Sequence, residues 1–147
     1  MAHFRWSPLI GGAVAMLFGA CSTSSGPAMV LQVNLPASVF ERTGTPAIAS
    51  VPFSLLNRES ASVFVARCGD RVMAALDQWD GQRWTQYSGD ACTTVQIQTP
   101  LELAPGASVA ASRSVLEPGK YRLRIGTVAA TSGGFDWSTV SRDLEVR

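Results

Sequence analysis

Apolar and polar residues alternate over most of the chain that follows residue 28. The clearest segment is Tyr121–Ile125, in which Tyr121, Leu123 and Ile125 would face one side and two arginines the other. A period of two predicts β-strands with one buried face. The same pattern, weaker in places, runs through the segments 29–35, 48–56, 62–66, 72–79, 83–87, 93–98, 108–115 and 140–147.

Residues that favour turns separate these segments. Asp80-Gly81 stands between Trp79 and Gln82-Arg83-Trp84, and Asp-Gly between apolar residues is typical of a type I′ turn. We therefore expect an antiparallel hairpin with strands at 72–79 and 83–87, although Met-Ala-Ala-Leu within the first strand also has a high helix propensity. Pro52 lies inside the segment 48–56 and indicates an edge position or a bulge, because proline cannot donate to a ladder.

The order of these elements predicts the fold class. About seven to nine short strands, with no convincing amphipathic helix after the N-terminal segment, are typical of an antiparallel β-sandwich. The apolar fraction of 46% and the length of 147 residues allow one domain with a sizeable core. We expect that domain, all-β, over residues 29–147.

The N-terminal 20 residues have the features of a helical secretory signal peptide. Arg5 precedes an apolar run from Leu9 to Phe18, and two small residues stand before Cys21. This ending resembles the lipobox of bacterial lipoproteins, although Phe18 replaces the usual leucine. A simple cleaved signal and a short anchor helix are the alternatives.

The lipobox resemblance implies a diacylglycerol on Cys21, a membrane partner through that lipid, and export to the cell envelope. Ser22 after the cysteine, in place of aspartate, favours the outer membrane if the organism has one. The small polar residues of 21–28 would then form a flexible tether. The partner beyond the membrane would be an envelope protein or a glycan.

Composition excludes several kinds of chemistry. The only histidine is His3, inside the expected signal peptide, so Ser–His–Asp and Cys–His catalysis and the usual zinc sites are excluded for the mature chain. Basic residues number 12 and acidic residues 11, and the two become equal without Arg5. We expect no nucleic-acid partner, which needs a clustered basic face. No cofactor, metal or catalytic residue is predicted, and the aspartates match no calcium loop.

The chain has three cysteines, which is an odd number for an exported protein. If Cys21 carries a lipid, Cys68 and Cys92 remain and can form a disulfide that closes the predicted hairpin. Such a bridge would stabilise the fold by roughly 3–4 kcal/mol in the chain-entropy model. Two buried free thiols are the alternative.

The order of several short motifs resembles the immunoglobulin-like domains of small bacterial lipoproteins. The matching segments are Phe53–Asn57, Trp79–Trp84, Leu103–Gly106 and Leu116–Leu123. The last also looks like the tyrosine corner of sandwich folds, with Tyr121 in the corner position. The spacing of Cys68, Trp79 and Cys92 is too short for the disulfide of antibody domains. The outline is also similar to BsuPI-type proteinase-inhibitor domains, and neither resemblance supplies catalytic residues.

Aromatic residues supply the candidate binding surface. Trp79, Trp84 and Tyr87 belong to the predicted hairpin, and Phe135 and Trp137 to a predicted glycine-rich loop. Packing against the sheet is the alternative for the hairpin residues, and a plug over the end of the core is the alternative for the last two. We expect a non-enzymatic binding or assembly module. A proteinase inhibitor of the envelope that acts through an exposed loop is the alternative hypothesis, and an enzyme is a distant third.

Overall fold

The computed structural model describes residues 31–88, 99–128 and 135–147, without the side chains of Ser88, Phe135 and Ser138. Every regular element in these ranges is a strand, which confirms the all-β prediction. Nothing helical in the described ranges has the length and hydropathy needed to cross a membrane. The strands are β1 (Leu31–Asn34), β2 (Val39–Phe40), β3 (Ala49–Asn57), β4 (Val63–Val65), β5 (Arg67–Cys68), β6 (Arg71–Val72), β7 (Ala74–Trp79), β8 (Trp84–Ser88), β9 (Leu101–Leu103), β10 (Ser108–Val115), β11 (Gly119–Val128), β12 (Phe135–Val140) and β13 (Leu144–Val146).

The strands form two principal sheets and one short pair. The small sheet has the order β1-β3-β10 and is antiparallel. The large sheet is mixed: β11 pairs antiparallel with β4, β7, β12 and β13, while β13 pairs parallel with β2. Strand β8 extends this sheet beside β7, and β9 extends it beside β4. Strands β5 and β6 pair only with each other among the described residues.

One apolar core lies between the inner faces of the two sheets, so the architecture is sandwich-like. The small sheet supplies Val51, Phe53 and Leu55, and the large sheet supplies Leu123 and Ile125, all with at most 3% of their surface exposed. Buried and exposed residues alternate along β3, as a strand with one solvated face requires. The alternation read from the sequence therefore corresponds to the inner and outer faces of real strands.

Asn57 ties the end of β3 to the large sheet. Its side chain is fully buried, and Nδ2 donates to the carbonyl oxygens of Ala61 and Leu103, each at 2.8 Å. Its Oδ1 accepts a hydrogen bond from the backbone N–H of Glu59 at 2.9 Å. A buried amide with these partners costs little to desolvate, because its polar atoms keep hydrogen bonds.

Pro52 lies where one neighbour of β3 has ended. Strand β10 pairs with β3 along its length, with Pro52 opposite Ser112. Strand β1 reaches only as far as Ser54 on the other side. The proline thus has a paired strand on one side alone, in agreement with the edge position that its missing N–H predicts.

Tyr121 forms a corner between β11 and the turn before it. Its ring is completely buried, and its hydroxyl donates to the carbonyl oxygen of Glu117 at 3.0 Å. Tyr87 packs against the ring edge-on, with 5.3 Å between centroids. Burial raises the pKa of Tyr121 to about 12. A tyrosine hydroxyl that bonds back to the backbone a few residues upstream is the arrangement of a tyrosine corner.

The hairpin of β7 and β8 is confirmed, but its turn differs from the expected one. Trp79 pairs with Trp84, and Asp80 N donates to the carbonyl of Arg83, so Gly81 and Gln82 are the two central residues. Gly81 has a φ of +101°, and no described non-glycine residue has positive φ. A type I′ turn needs positive φ at both central residues, so this turn is not of that type. The expected type I′ turn was therefore wrong, and the centre of the turn lies one residue later than the expected Asp80-Gly81.

The structure has more strands than the seven to nine expected. Strands β2, β5, β6 and β9 are two or three residues long, too short for a period to be recognised. The predicted final strand 140–147 is divided between β12 and β13, and Phe135 opens a strand where a loop was expected. The signal peptide 1–20, the tether 21–28, the strand 93–98 and Cys92 lie outside the described residues and stay predictions.

Candidate binding surface

The outer face of the large sheet carries a continuous set of large side chains. It runs across β8, β7, β11 and β12, which are neighbours in that order. Its members, which we call the aromatic–arginine face, are Asp77, Trp79, Trp84, Gln86, Lys120, Arg122, Arg124 and Trp137.

Asp77 is the centre of this face. Its carboxylate is 6% exposed and accepts from Arg122 Nε at 3.0 Å through Oδ2 and from Arg124 Nε at 2.8 Å through Oδ1. Asp77 stands directly opposite Arg122 in the β7–β11 register, and Arg124 is its diagonal neighbour. Charged pairs at these positions stabilise a sheet. One carboxylate therefore orients two guanidinium groups.

Tryptophan rings cover the hairpin end of the face. The Arg122 guanidinium carbon lies 4.6 Å from the centroid of Trp84, and Lys120 Nζ lies 5.8 Å from it. Cations at these distances are attracted to an indole face. Trp79 packs on Trp84 with 5.4 Å between centroids and a 58° tilt, yet keeps 36% of its surface exposed. The rings of Trp79 and Trp84 thus form a partly exposed aromatic pair beside Arg122, which we call the tryptophan corner.

Trp137 closes the opposite end of the face because β12 contains an irregularity. Ile125 pairs with Thr139, but Thr127 pairs with Asp136, so one extra residue is inserted in β12 between them. Thr139 is buried and faces the core. In a regular strand, residue 137 would lie on the same side of the sheet as Thr139. The bulge changes this parity, and Arg124 Cζ lies 5.4 Å from the Trp137 ring centroid.

Of the other two residues of the predicted surface, Tyr87 lies on the opposite side of the sheet, and the side chain of Phe135 is not described. Tyr87 packs against Tyr121 on the core side of the sheet, at the position where β8 has its own extra residue. The backbone of Phe135 pairs with Val128 at the start of β12, and its side chain lies outside the described part. Trp79, Trp84 and Trp137 are brought together on one sheet face, although 53 residues separate the last two in the chain.

Two further ion pairs lie at this face. Lys120 Nζ lies 2.7 Å from Asp143 Oδ2, and Arg83 Nε lies 3.6 Å from Asp80 Oδ2. Asp80 Oδ1 also accepts from the backbone N–H groups of Arg83 and Gln82, each at 2.9 Å. These backbone hydrogen bonds hold the pKa of Asp80 below its usual value. Asp80 therefore organises the turn.

Other described regions show no catalytic arrangement. No three His, Cys, Asp or Glu side chains converge on a metal position within the described residues. A cleft of about 550 Å³ lies between β6 and β10, and its charged lining consists of Arg67, Asp70, Arg71 and Arg113. Cys68 lies beside it in β5. Its pairing with Cys92 stays a prediction, as does lipidation of Cys21, because both of those cysteines lie outside the described residues.

Sequence reasoning missed Asp77, Arg122 and Arg124 as site residues. The outward side of Tyr121–Ile125 had shown that two arginines share a face. The aspartate that orients them comes from a strand more than 40 residues earlier, and only the β7–β11 register shows that they meet.

Comparisons with known proteins give little further information. No protein-family model matches the chain, and no curated protein matches it. One similar solved structure is "Pseudomonas fluorescens alkylpurine DNA glycosylase AlkC bound to DNA containing an abasic site analog", with 12% identity and a TM-score of 0.38 over 83% of this chain and 32% of the glycosylase chain. Another is "Northeast Structural Genomics Consortium target SoR45", with 12% identity and a TM-score of 0.40 over 80% of this chain and 82% of that one. This chain thus spans about a third of the glycosylase.

The expected partners need correction. The sequence predicted three partners, namely a membrane through lipid on Cys21, an envelope protein or a glycan, and no nucleic acid. The glycosylase structure to which the chain is similar contains DNA, and no comparison supports a membrane or envelope partner. The exclusion of nucleic acid and the expected partners are withdrawn. At these identities and TM-scores, neither likeness assigns a function to this chain.

Proposed function

We propose that the chain is an exported protein whose β domain is a non-enzymatic binding module of immunoglobulin-like type. The aromatic–arginine face is its ligand-contacting surface. The observation that carries the proposal is the exposed tryptophan corner beside Arg122. Tryptophan and arginine are the residues most enriched among those that dominate binding energy, because they combine a large contact area with directional donors.

Two structural features support the immunoglobulin-like assignment. The inner faces of the small and large sheets share one core, as the two layers of a sandwich do. The hydroxyl of Tyr121 bonds to the backbone of Glu117, as in the corner that recurs at the start of a strand in these domains.

The rigidity of the face also supports a binding role. Asp77 holds both guanidinium groups, and the rings of Trp84 and Trp137 cover one of them each. Side chains fixed before binding lose less conformational entropy when a ligand arrives. Arg122 and Arg124 are thus presented in defined orientations by contacts within the sheet.

Site-specific photo-crosslinking in cells that produce the full chain tests the proposal. A photoreactive p-benzoylphenylalanine replaces Gln86, which is exposed on β8 next to Asp77, or replaces Ser112, which is exposed on β10 of the small sheet. We expect a discrete adduct from position 86, none from position 112, and loss of the first adduct when Trp79→Ala is added. Equal labelling at both positions, or an adduct insensitive to Trp79→Ala, would contradict the proposal.

A further inference from the structure

We infer that the ligand of the aromatic–arginine face is an extended peptide segment that carries an acidic and an apolar side chain on the same face, two residues apart. This inference rests on the proposed function and names its ligand class. It depends on the charge of the Asp77 cluster, on the spacing of the two arginines, and on the apolar surface beside them.

The Asp77 cluster has one positive charge in excess. Asp77 supplies one negative charge against the two guanidinium groups of Arg122 and Arg124. Both contacts use Nε, and the arginine side chains remain 29% and 22% exposed. An arginine has five N–H donors in a planar fork that fits a carboxylate. Donors on the Nη groups of Arg122 are therefore available for a ligand carboxylate.

The spacing of the arginines matches an extended peptide. Arg122 and Arg124 are two residues apart on β11, a separation of about 6.6 Å in a strand. Alternate side chains of an extended peptide lying along β11 have the same period. If a carboxylate of the peptide binds Arg122, the peptide side chain two residues away lies on the same face, beside Lys120 of β11. Trp79 and Trp84 supply an apolar surface there.

Other occupants fit the observations less well. A second copy related by two-fold symmetry would place the same net positive cluster against itself, which is unfavourable. A single-stranded nucleic acid would use the tryptophans for stacking but also needs several cations along its backbone. Lys120 and Arg83, the other cations near the face, are already paired with Asp143 and Asp80.

Isothermal titration of the full chain with three probes tests the ligand class. The probes are a capped octapeptide Ser-Glu-Ser-Glu-Ser-Leu-Gly-Ser, whose two glutamates and leucine share one face when the chain is extended, the same peptide with glutamine in place of both glutamates, and an oligothymidine. We expect the acidic peptide to bind about tenfold or more tightly than its glutamine analogue, since charge-assisted hydrogen bonds are about twice as strong as neutral ones. Its binding should weaken with salt.

Two variants locate the binding. Arg122→Gln should reduce affinity for the acidic peptide by about tenfold. Arg58→Gln removes the same charge from an exposed position after β3 of the small sheet and should change the affinity less than about threefold, because it lies outside the aromatic–arginine face. If Arg122→Gln fails to fold, the comparison of the two peptides on the natural chain decides. Equal affinity for both peptides, no binding of either, or tighter binding of oligothymidine would overturn the inference. The crosslinking result would still stand if only the ligand class were wrong.

Discussion

The outer faces of the two sheets both meet solvent, but they are built from different residues. The small sheet exposes short side chains on β3 and β10, such as Ser50, Ala110, Ser112 and Ser114. The large sheet carries on its outer face three tryptophans, of which Trp79 is exposed, and two half-buried arginines organised by one buried aspartate. Since both faces cover the same core, burial of that core does not require the large aromatic residues.

The comparison separates stability from recognition. A sandwich exterior is adequately served by small polar residues, as the small sheet demonstrates. Exposed tryptophan and a charge cluster with excess donors fit a surface that meets a ligand. The alternative is a structural role: the contacts of Asp77, Arg122, Arg124, Trp84 and Trp137, which we call the ladder, would hold the β7–β8 hairpin against β11. Stability measurements on both faces and on the core between them decide how far each role extends.

The largest effect is expected inside the sheet, between the two arginines. Leu123→Ala empties a fully buried position of β11 and should lower the free energy of unfolding by about 3–4 kcal/mol, through lost burial and a residual cavity. Urea unfolding measures it. Ser112→Ala on the small sheet's outer face is the matched control, with an expected change within about 0.5 kcal/mol. Comparable losses for the two variants would mean that the inner and outer faces are wrongly assigned.

The next effect concerns the base of the aromatic–arginine face. Asp77→Ala leaves two partly buried guanidinium groups without their acceptor and should cost about 2–3 kcal/mol. This is at or below the lower limit for a broken buried pair, because the arginines can still reach water. Asp143→Ala removes an exposed ion pair with Lys120 and should cost less than about 1 kcal/mol. Urea unfolding of both variants gives the difference. Equal costs would show that the ladder contributes nothing beyond ordinary surface pairing.

Features with local causes could be predicted from the sequence. The strand at Tyr121–Ile125 follows from its period, and the corner hydrogen bond spans only four residues, from Tyr121 to Glu117. The hairpin follows from Asp80-Gly81, although the turn type was missed because Asp80 acts from the first position, through its carboxylate. Trp79 and Trp84 are directly opposite each other, so the hairpin alone places them together.

Features that depend on register could not be predicted. Arg122 meets Asp77 through the β7–β11 alignment, which no local pattern specifies. Trp137 reaches the outer face through a one-residue bulge in β12, and a slip of one residue reverses every side chain of a strand. Tyr87 was expected on the surface and lies against Tyr121 on the core side, at the bulge of β8.

A smaller loss is expected at the corner of β11. Tyr121→Phe removes the hydroxyl and leaves the Glu117 carbonyl without this donor, at a cost of about 1–1.5 kcal/mol. Thermal or urea unfolding near neutral pH measures it. A loss below about 0.3 kcal/mol would mean that the corner hydrogen bond contributes no net stability.

The same residue gives a pH dependence with a defined sign. Burial raises the pKa of Tyr121 from 10.0 to about 12, so the folded state favours the protonated phenol. The resulting stability is fully present below pH 10 and is lost as pH rises from about 10 to 12. The chain has two tyrosines, so absorbance titration of a Tyr87→Phe variant reports Tyr121 alone. Ionisation near pH 10 would contradict the prediction. The Tyr121→Phe variant gives the stability curve without the contribution of this hydroxyl.

The smallest change in stability is expected at the most exposed tryptophan, and it decides between the two roles of the outer face. Trp79 has 36% of its surface exposed, and its ring packs on Trp84. Trp79→Phe keeps an aromatic ring at this position and should therefore lower the free energy of unfolding by no more than about 1 kcal/mol, while weakening the adduct formed from position 86. If the variant instead loses about 2 kcal/mol or more and keeps the adduct, the tryptophans of the large sheet serve to hold the hairpin, and the difference between the two outer faces is one of sheet stability rather than recognition.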